Sequence, residues 1–108
     1  MPMAWLYLVV AGLTEIAWAI GLKQSEGWTR LWPSVITAVL MIISFAFLSL
    51  ALRTLPIGTA YAVWTGIGAA GTAIVGILFF GEARDALRIV CIALIIAGVA
   101  GLKVFSRS

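Results

Sequence analysis

The chain has 108 residues, of which 64% are hydrophobic and 10% are charged, and it contains no histidine. This composition excludes an ordinary soluble domain and is typical of a membrane protein. Without histidine, and without a glycine-rich phosphate loop after a strand, the sequence predicts no enzyme, no metal site and no cofactor.

Long apolar runs predict an all-α membrane protein with four transmembrane helices, forming one domain over residues 1–108. The predicted spans are Ala4–Leu22, Pro33–Leu52, Pro56–Phe80 and Ala86–Phe105. We expect Arg88 and Lys103, inside the last span, to extend towards the two membrane interfaces. Glu82 and Asp85, in the short connection before that span, are interpreted as solvated loop charges.

Glu15 is the only charged residue within the first span. At about 1.5 Å of rise per residue it lies roughly 16 Å from Ala4, close to the midplane of a bilayer. A carboxylate there costs on the order of 3 kcal/mol by insertion scales, so such a residue usually faces a cavity and handles protons, ions or cationic substrates. The alternative is a protonated Glu15 that joins two helices by hydrogen bonds.

The helical neighbours of Glu15 are three small residues and one large aromatic residue, namely Ala11, Gly12, Ala19 and Trp18. Small residues leave room for a partner helix or a ligand, and Trp18 offers a π face to a cation near the carboxylate. The alternative for Trp18 is anchoring at the membrane interface, although its position near the midplane fits that role poorly.

Ser44 is the most central polar side chain of the second span, which carries no charge. We expect its hydroxyl to donate to the backbone of its own helix, as mid-span serines often do. The alternative is that Ser44 orients the Glu15 carboxylate from a neighbouring helix.

The third span carries two polar aromatic residues and a glycine, Tyr61, Trp64 and Gly68, on one helical stripe. Such residues in an uncharged span predict the lining of a site, and core packing is the alternative. Gly66 and Gly68 weaken the helix just beyond the aromatic residues, so they predict a bend that serves as a hinge.

The fourth span has a stripe of small residues with no central polar group. Ala93, Ala97 and Gly101 are spaced four residues apart, and Gly98 lies beside them. Stripes of this kind allow close helix–helix contact in membranes. The fourth span therefore predicts dimerisation, whereas the first three predict the chemistry.

The basic residues lie near the ends of the spans, which argues against nucleic-acid binding despite a net charge of +3. With four spans, one side of the membrane carries Arg53, Lys103 and Arg107, and the other carries Lys23, Arg30, Arg84 and Arg88. Because three basic residues oppose four, both orientations in the membrane are plausible. The alternative is that a local effect near the N-terminus selects one orientation.

The residues described above resemble those of the small multidrug resistance transporters. The shared features are Glu15 followed three residues later by Trp18, then Leu-Lys23 and Gly27-Trp-Thr-Arg30-Leu, the run Pro56-Ile-Gly-Thr-Ala-Tyr61-Ala-Val-Trp64-Thr-Gly66-Ile-Gly68-Ala, and the ending Ala97-Gly98-Val-Ala-Gly101-Leu-Lys103. The resemblance covers essentially the whole chain and is weakest at Gly81-Glu-Ala-Arg-Asp85. Trp18 makes the chain look most like the guanidinium-exporter subtype, since the polyaromatic-drug subtype usually has a small residue there.

The resemblance implies an antiparallel homodimer of four-helix subunits, inserted in opposite orientations in the inner membrane. It implies that Glu15 binds a proton and a guanidinium-type cation, including substituted guanidines, in turn. The implied lining residues are Gly12, Trp18, Ser44, Tyr61 and Trp64, and the fourth span is implied to form the dimer contact.

Two other functions fit the same residues. An acidic site lined by aromatic side chains also suits a broader exporter of quaternary ammonium compounds and other drug cations. A small structural or regulatory membrane subunit without transport of its own is the alternative from another class.

Overall fold

The computed structural model describes residues 3–105 and contains four long helices. They are α1 (Met3–Gln24), α2 (Leu31–Ala51), α3 (Ile57–Phe79) and α4 (Ala86–Val104). All four are long and apolar enough to cross a membrane, as the sequence predicted. Arg107, which entered the orientation argument, lies outside the described residues.

Charged residues and proline mark several of the helix ends and starts. Lys23 lies in the last turn of α1, where a cation is favourable beside the carbonyl end of the helix. Pro56 precedes the first turn of α3, since its fixed φ suits a helix start and its missing N–H is not needed there. Asp85 takes an extended conformation just before α4 begins.

The connection between α1 and α2 folds tightly around a buried serine. The Ser25 hydroxyl donates to the Leu22 carbonyl at 2.7 Å and accepts from the Trp28 N–H at 3.1 Å. Glu26, Gly27 and Trp28 all have a left-handed backbone, with φ of 50°, 73° and 69°. Since non-glycine residues rarely adopt this conformation, the bonds to Ser25 help to hold the turn.

Helix α1 lies between α2 and α3 in the bundle and packs against both of them. Helix α4 packs along α3. The core between the first three helices contains the buried residues Ala4, Trp5, Leu8, Ala11, Leu48, Ala51, Ala60, Val63 and Trp64. Many of these residues are small, which lets helix backbones approach closely in a membrane. Glu15 lies in the half of α1 beyond this core, and its side chain contacts α3.

Helix α4 presents most of its surface away from the other helices. Ile92 is its one buried residue among those the structure describes. A Cβ built at Gly98 or Gly101 would meet no atom within 4 Å. The small-residue stripe therefore lies in open space, and its predicted role in dimerisation stays a prediction.

Candidate functional site

The carboxyl group of Glu15 lies directly against α3 at Gly68. A side chain at position 68 would overlap the Glu15 carboxyl group, so the absence of a Cβ there is what allows the approach. Oε1 of Glu15 is buried and has no hydrogen-bond partner within residues 3–105. A buried acceptor without a donor is costly in apolar surroundings, so this oxygen is suited to receive a ligand or a proton.

The Glu15 side chain lines a cavity of about 400 Å³ between α1, α3 and the start of α4. The cavity is lined by Glu15, Ala19, Thr65, Gly68, Ala69, Thr72, Ala73, Glu82 and Arg88. Its walls are mostly small residues, and two threonines and the Glu82–Arg88 pair add polar groups. The hydroxyl of Thr72 is buried there and lacks a hydrogen-bond partner in the described part of the chain.

Aromatic side chains form a second group next to Glu15, and they are joined in one row. Ring centroids are 6.5 Å apart for Trp18 and Phe45, 5.6 Å for Phe45 and Trp64, and 5.6 Å for Trp64 and Tyr61. Phe45 connects the two tryptophans and was not predicted as a site residue. Its position directly after Ser44, near the middle of the second span, was the available signal.

Ser44 links three helices rather than bonding to its own. Its hydroxyl donates to the Ala11 carbonyl of α1 at 2.7 Å and accepts from the Trp64 indole N–H of α3 at 3.1 Å. The expected bond to the α2 backbone is therefore wrong, and Ser44 does not reach Glu15 through that hydrogen bond either. Instead, this fully buried serine fixes the ring of Trp64 relative to α1.

The predicted site residues thus fall into two neighbouring sets. Glu15 and Gly68 line the cavity, whereas Trp18, Ser44 and Trp64 lie outside its lining. Tyr61 is 56% exposed in the single chain, on the outer end of the aromatic row. The Trp18 indole N–H is buried without a partner in the described region, so it too remains able to bond.

The glycines predicted as a hinge allow close contacts between helices. Helix α3 is continuous through Gly66 and Gly68. Val99 of α4 lies where a Cβ of Gly66 would be, and Glu15 lies against Gly68. Gly12 accommodates Ile67 in the same way, since Ile67 Cγ2 would lie 2.6 Å from an added Cβ. The hinge and the ligand-lining role of Gly12 stay predictions.

Glu82 is exposed in the α3–α4 connection, as the sequence suggested, and contacts that the sequence did not predict hold it in a defined position. Gly81 has a left-handed φ of 66°, and the turn lets the Glu82 N–H donate to the Gly76 carbonyl at 3.1 Å. The Glu82 carboxylate consequently lies against Gly76 and pairs with Arg88 at 2.7 Å, at one edge of the cavity. Sequence spacing gave a partial signal, because Gly68, Thr72 and Gly76 follow one another at four-residue intervals along α3.

Comparison with known proteins agrees with this architecture. The family model for Small Multidrug Resistance protein matches residues 3–95. A guanidinium exporter of Citrobacter freundii and one of Salmonella typhimurium are each 59% identical over 101 residues, covering 94% of this chain and 96% of the relative. A guanidinium exporter of Escherichia coli strain K12 is 55% identical over the same length and coverage. The chain therefore belongs to the small multidrug resistance family, and it is a multi-pass protein of the inner membrane.

Proposed function

We propose that this protein exports guanidinium-type small cations across the inner membrane in exchange for protons, working as an antiparallel homodimer. The names of the relatives at 55–59% identity support the substrate class. The proposed activity is transport and involves no covalent step.

The observation that carries the proposal is the unpaired Glu15 carboxyl group beside a cavity in mid-membrane. Its buried Oε1 receives no hydrogen bond from residues 3–105, so nothing described in the chain satisfies it. In apolar surroundings a carboxylate is neutralised either by a proton or by a bound cation. A single group that must take one or the other is the simplest basis for exchange.

A guanidinium ion fits this group by shape as well as by charge. Its planar N–H donors form paired hydrogen bonds with the two oxygens of a carboxylate. Binding of the cation requires the ionised carboxylate, so a bound proton and a bound cation exclude each other. When the site is exposed to the two sides of the membrane in turn, inward proton movement drives outward movement of the cation.

The aromatic row supports the same substrate. Trp18 is one helical turn from Glu15, so its π face and the carboxylate can contact one small cation. Trp64 is held by its hydrogen bond to Ser44 and is therefore presented in a fixed orientation. Phe45 lies between the two indoles and contacts both of them.

An antiparallel dimer is supported by two independent features. Helix α4 leaves its small-residue stripe exposed, and such stripes associate in membranes. The nearly balanced basic residues, three against four, allow insertion in both orientations. In the proposed dimer two Glu15 residues share one site, and Tyr61, exposed in the single chain, is available to contact the partner.

The decisive experiment is reconstitution of the purified chain in vesicles that contain a pH-sensitive dye. An imposed guanidinium gradient is expected to drive proton movement with the unmodified chain. Glu15→Gln is expected to abolish that movement, because glutamine keeps the shape of the side chain but cannot ionise. Glu26→Gln is the matched control, since it removes an exposed carboxylate of the α1–α2 connection. Exchange by the Glu15 variant at the unmodified rate would refute the proposal.

A further inference from the structure

We propose that Glu82 forms an outer binding site for the guanidinium substrate, at which the incoming cation replaces the side chain of Arg88 before it passes to Glu15. This inference rests on the proposed export of guanidinium and adds a second carboxylate to its path. It assigns a function to an ion pair that the mechanism at Glu15 does not use.

The first support is that the two carboxylates line the same cavity. Each lies against a glycine of α3, Glu15 against Gly68 and Glu82 against Gly76. Eight residues of helix separate these glycines, which corresponds to roughly 12 Å along the helix axis. Thr72 lies midway, and its buried hydroxyl has no partner among the residues described. The cavity therefore offers three oxygen-bearing groups in sequence along one helix.

The second support is that Glu82 already binds a guanidinium group. Nη2 of Arg88 lies 2.7 Å from Oε1 of Glu82, as a charge-assisted hydrogen bond requires. The head group of arginine has the same planar shape and the same N–H donors as the free guanidinium ion. A carboxylate that accommodates one accommodates the other, so the substrate and Arg88 compete for a single site.

The third support is that the ion pair is weak enough to exchange. The two side chains are 35% and 41% exposed, and pairs of this kind contribute little net stability. Nε of Arg88 is buried without a partner in the described chain, so at least one N–H donor of the guanidinium group makes no hydrogen bond. A partly satisfied guanidinium is easier to displace than one held on both edges.

The outer site also selects among cations. A quaternary ammonium ion has no N–H donor and cannot replace the hydrogen bond of Arg88. Guanidinium and singly substituted guanidines can do so, because at least one edge of the ion stays free. Glu82 and Arg88 therefore favour guanidines at the mouth of the cavity, before any selection at Glu15 and Trp18.

The test is the concentration dependence of guanidinium-driven proton movement in vesicles. Glu82→Gln is expected to raise the KM for guanidinium by about fivefold, the upper value for a part-exposed ion pair, with little change in kcat. Arg88→Gln is expected to lower KM, since it removes the competing cation and leaves Glu82 ionised. Glu26→Gln removes a carboxylate near Arg30 in the α1–α2 connection and is expected to leave KM unchanged.

Opposite effects of the two substitutions support the outer site. An equal rise in KM for both variants would mean that the ion pair only stabilises the α3–α4 connection, and this result would overturn the inference. If the unmodified chain shows no guanidinium-driven proton movement, the proposed function fails, and the outer site that rests on it fails too. If the unmodified chain is active and the Glu82→Gln variant matches it, only the outer site fails.

A second measurement keeps both Glu82 and Arg88 unmodified, so it does not depend on how the Glu82→Gln and Arg88→Gln variants fold. In the Glu15→Gln chain, the Nε–H resonance of Arg88 is followed by nuclear magnetic resonance during titration with guanidinium chloride. We expect a saturable shift with guanidinium and none with tetramethylammonium chloride. Identical responses to the two salts would mean an effect of ionic strength and would contradict displacement of Arg88.

Discussion

Replacing Gly68 by alanine tests whether Glu15 depends on its contact with α3. The added Cβ would overlap the Glu15 carboxyl group, so either the side chain or the helix must move. Overpacking of this kind typically costs about 1–3 kcal/mol, which corresponds to roughly a five- to 150-fold loss of guanidinium affinity if the bound position of Glu15 carries the cost. We therefore expect a large loss of binding from one added methyl group.

The assay is equilibrium binding of radiolabelled guanidinium to purified protein, with unfolding in denaturing detergent measured in parallel. Gly58→Ala is the matched control, because Gly58 is also in α3 and a Cβ there meets no atom within 4 Å. Both substitutions replace glycine by alanine in α3, and the gain in helix propensity, about 1 kcal/mol in a helix interior, favours folding of the Gly68 variant at least as much as that of the control. Equal guanidinium affinity for the two variants would refute the placement of Glu15 against Gly68.

Three further outcomes follow from the proposed site and assembly. Trp18→Ala is expected to weaken guanidinium binding by roughly thirtyfold, from about 2 kcal/mol of cation–π contact, and Trp18→Phe by less; unchanged binding of both guanidinium and a bulky tetraalkylammonium would make Trp18 a packing residue only. Ala97→Leu or Gly101→Leu is expected to reduce crosslinked dimer in membranes, and undiminished dimer with full transport would exclude the α4 stripe as the interface. Two lysines added near the N-terminus are expected to fix one orientation and lower activity, which an oppositely biased copy restores; full activity at one fixed orientation would contradict the antiparallel dimer.

The four helices were predictable because each corresponds to a run of apolar residues that is bounded by charged residues, proline or glycine. The special position of Glu15 was predictable for the same reason, since it interrupts such a run in its middle. Helical spacing also predicted that Tyr61 and Trp64 are neighbours, and their rings are indeed 5.6 Å apart. These features depend on one helix at a time.

Features that depend on two helices were harder to predict. Residue spacing along α2 does not show which helix backbone accepts a hydrogen bond from a serine hydroxyl. The bond from Ser44 to the Ala11 carbonyl was therefore missed. The aromatic row was incomplete without Phe45, because its neighbours come from α1 and α3. The contacts of Glu82 with Gly76 and Arg88 were not predicted, because they depend on the left-handed turn at Gly81, which redirects the chain towards Gly76.

The ends of the bundle have a consequence for protein engineering. The ammonium group of Lys103, in the last turn of α4, lies 5.1 Å from the centre of the Trp5 ring, in the first turn of α1. The start of α1 and the end of α4 are therefore on the same side of the membrane. A short flexible linker that fuses two copies head to tail consequently forces the copies to insert in parallel. A fusion that permits opposite orientations must include an additional transmembrane helix of about 20 residues in the linker.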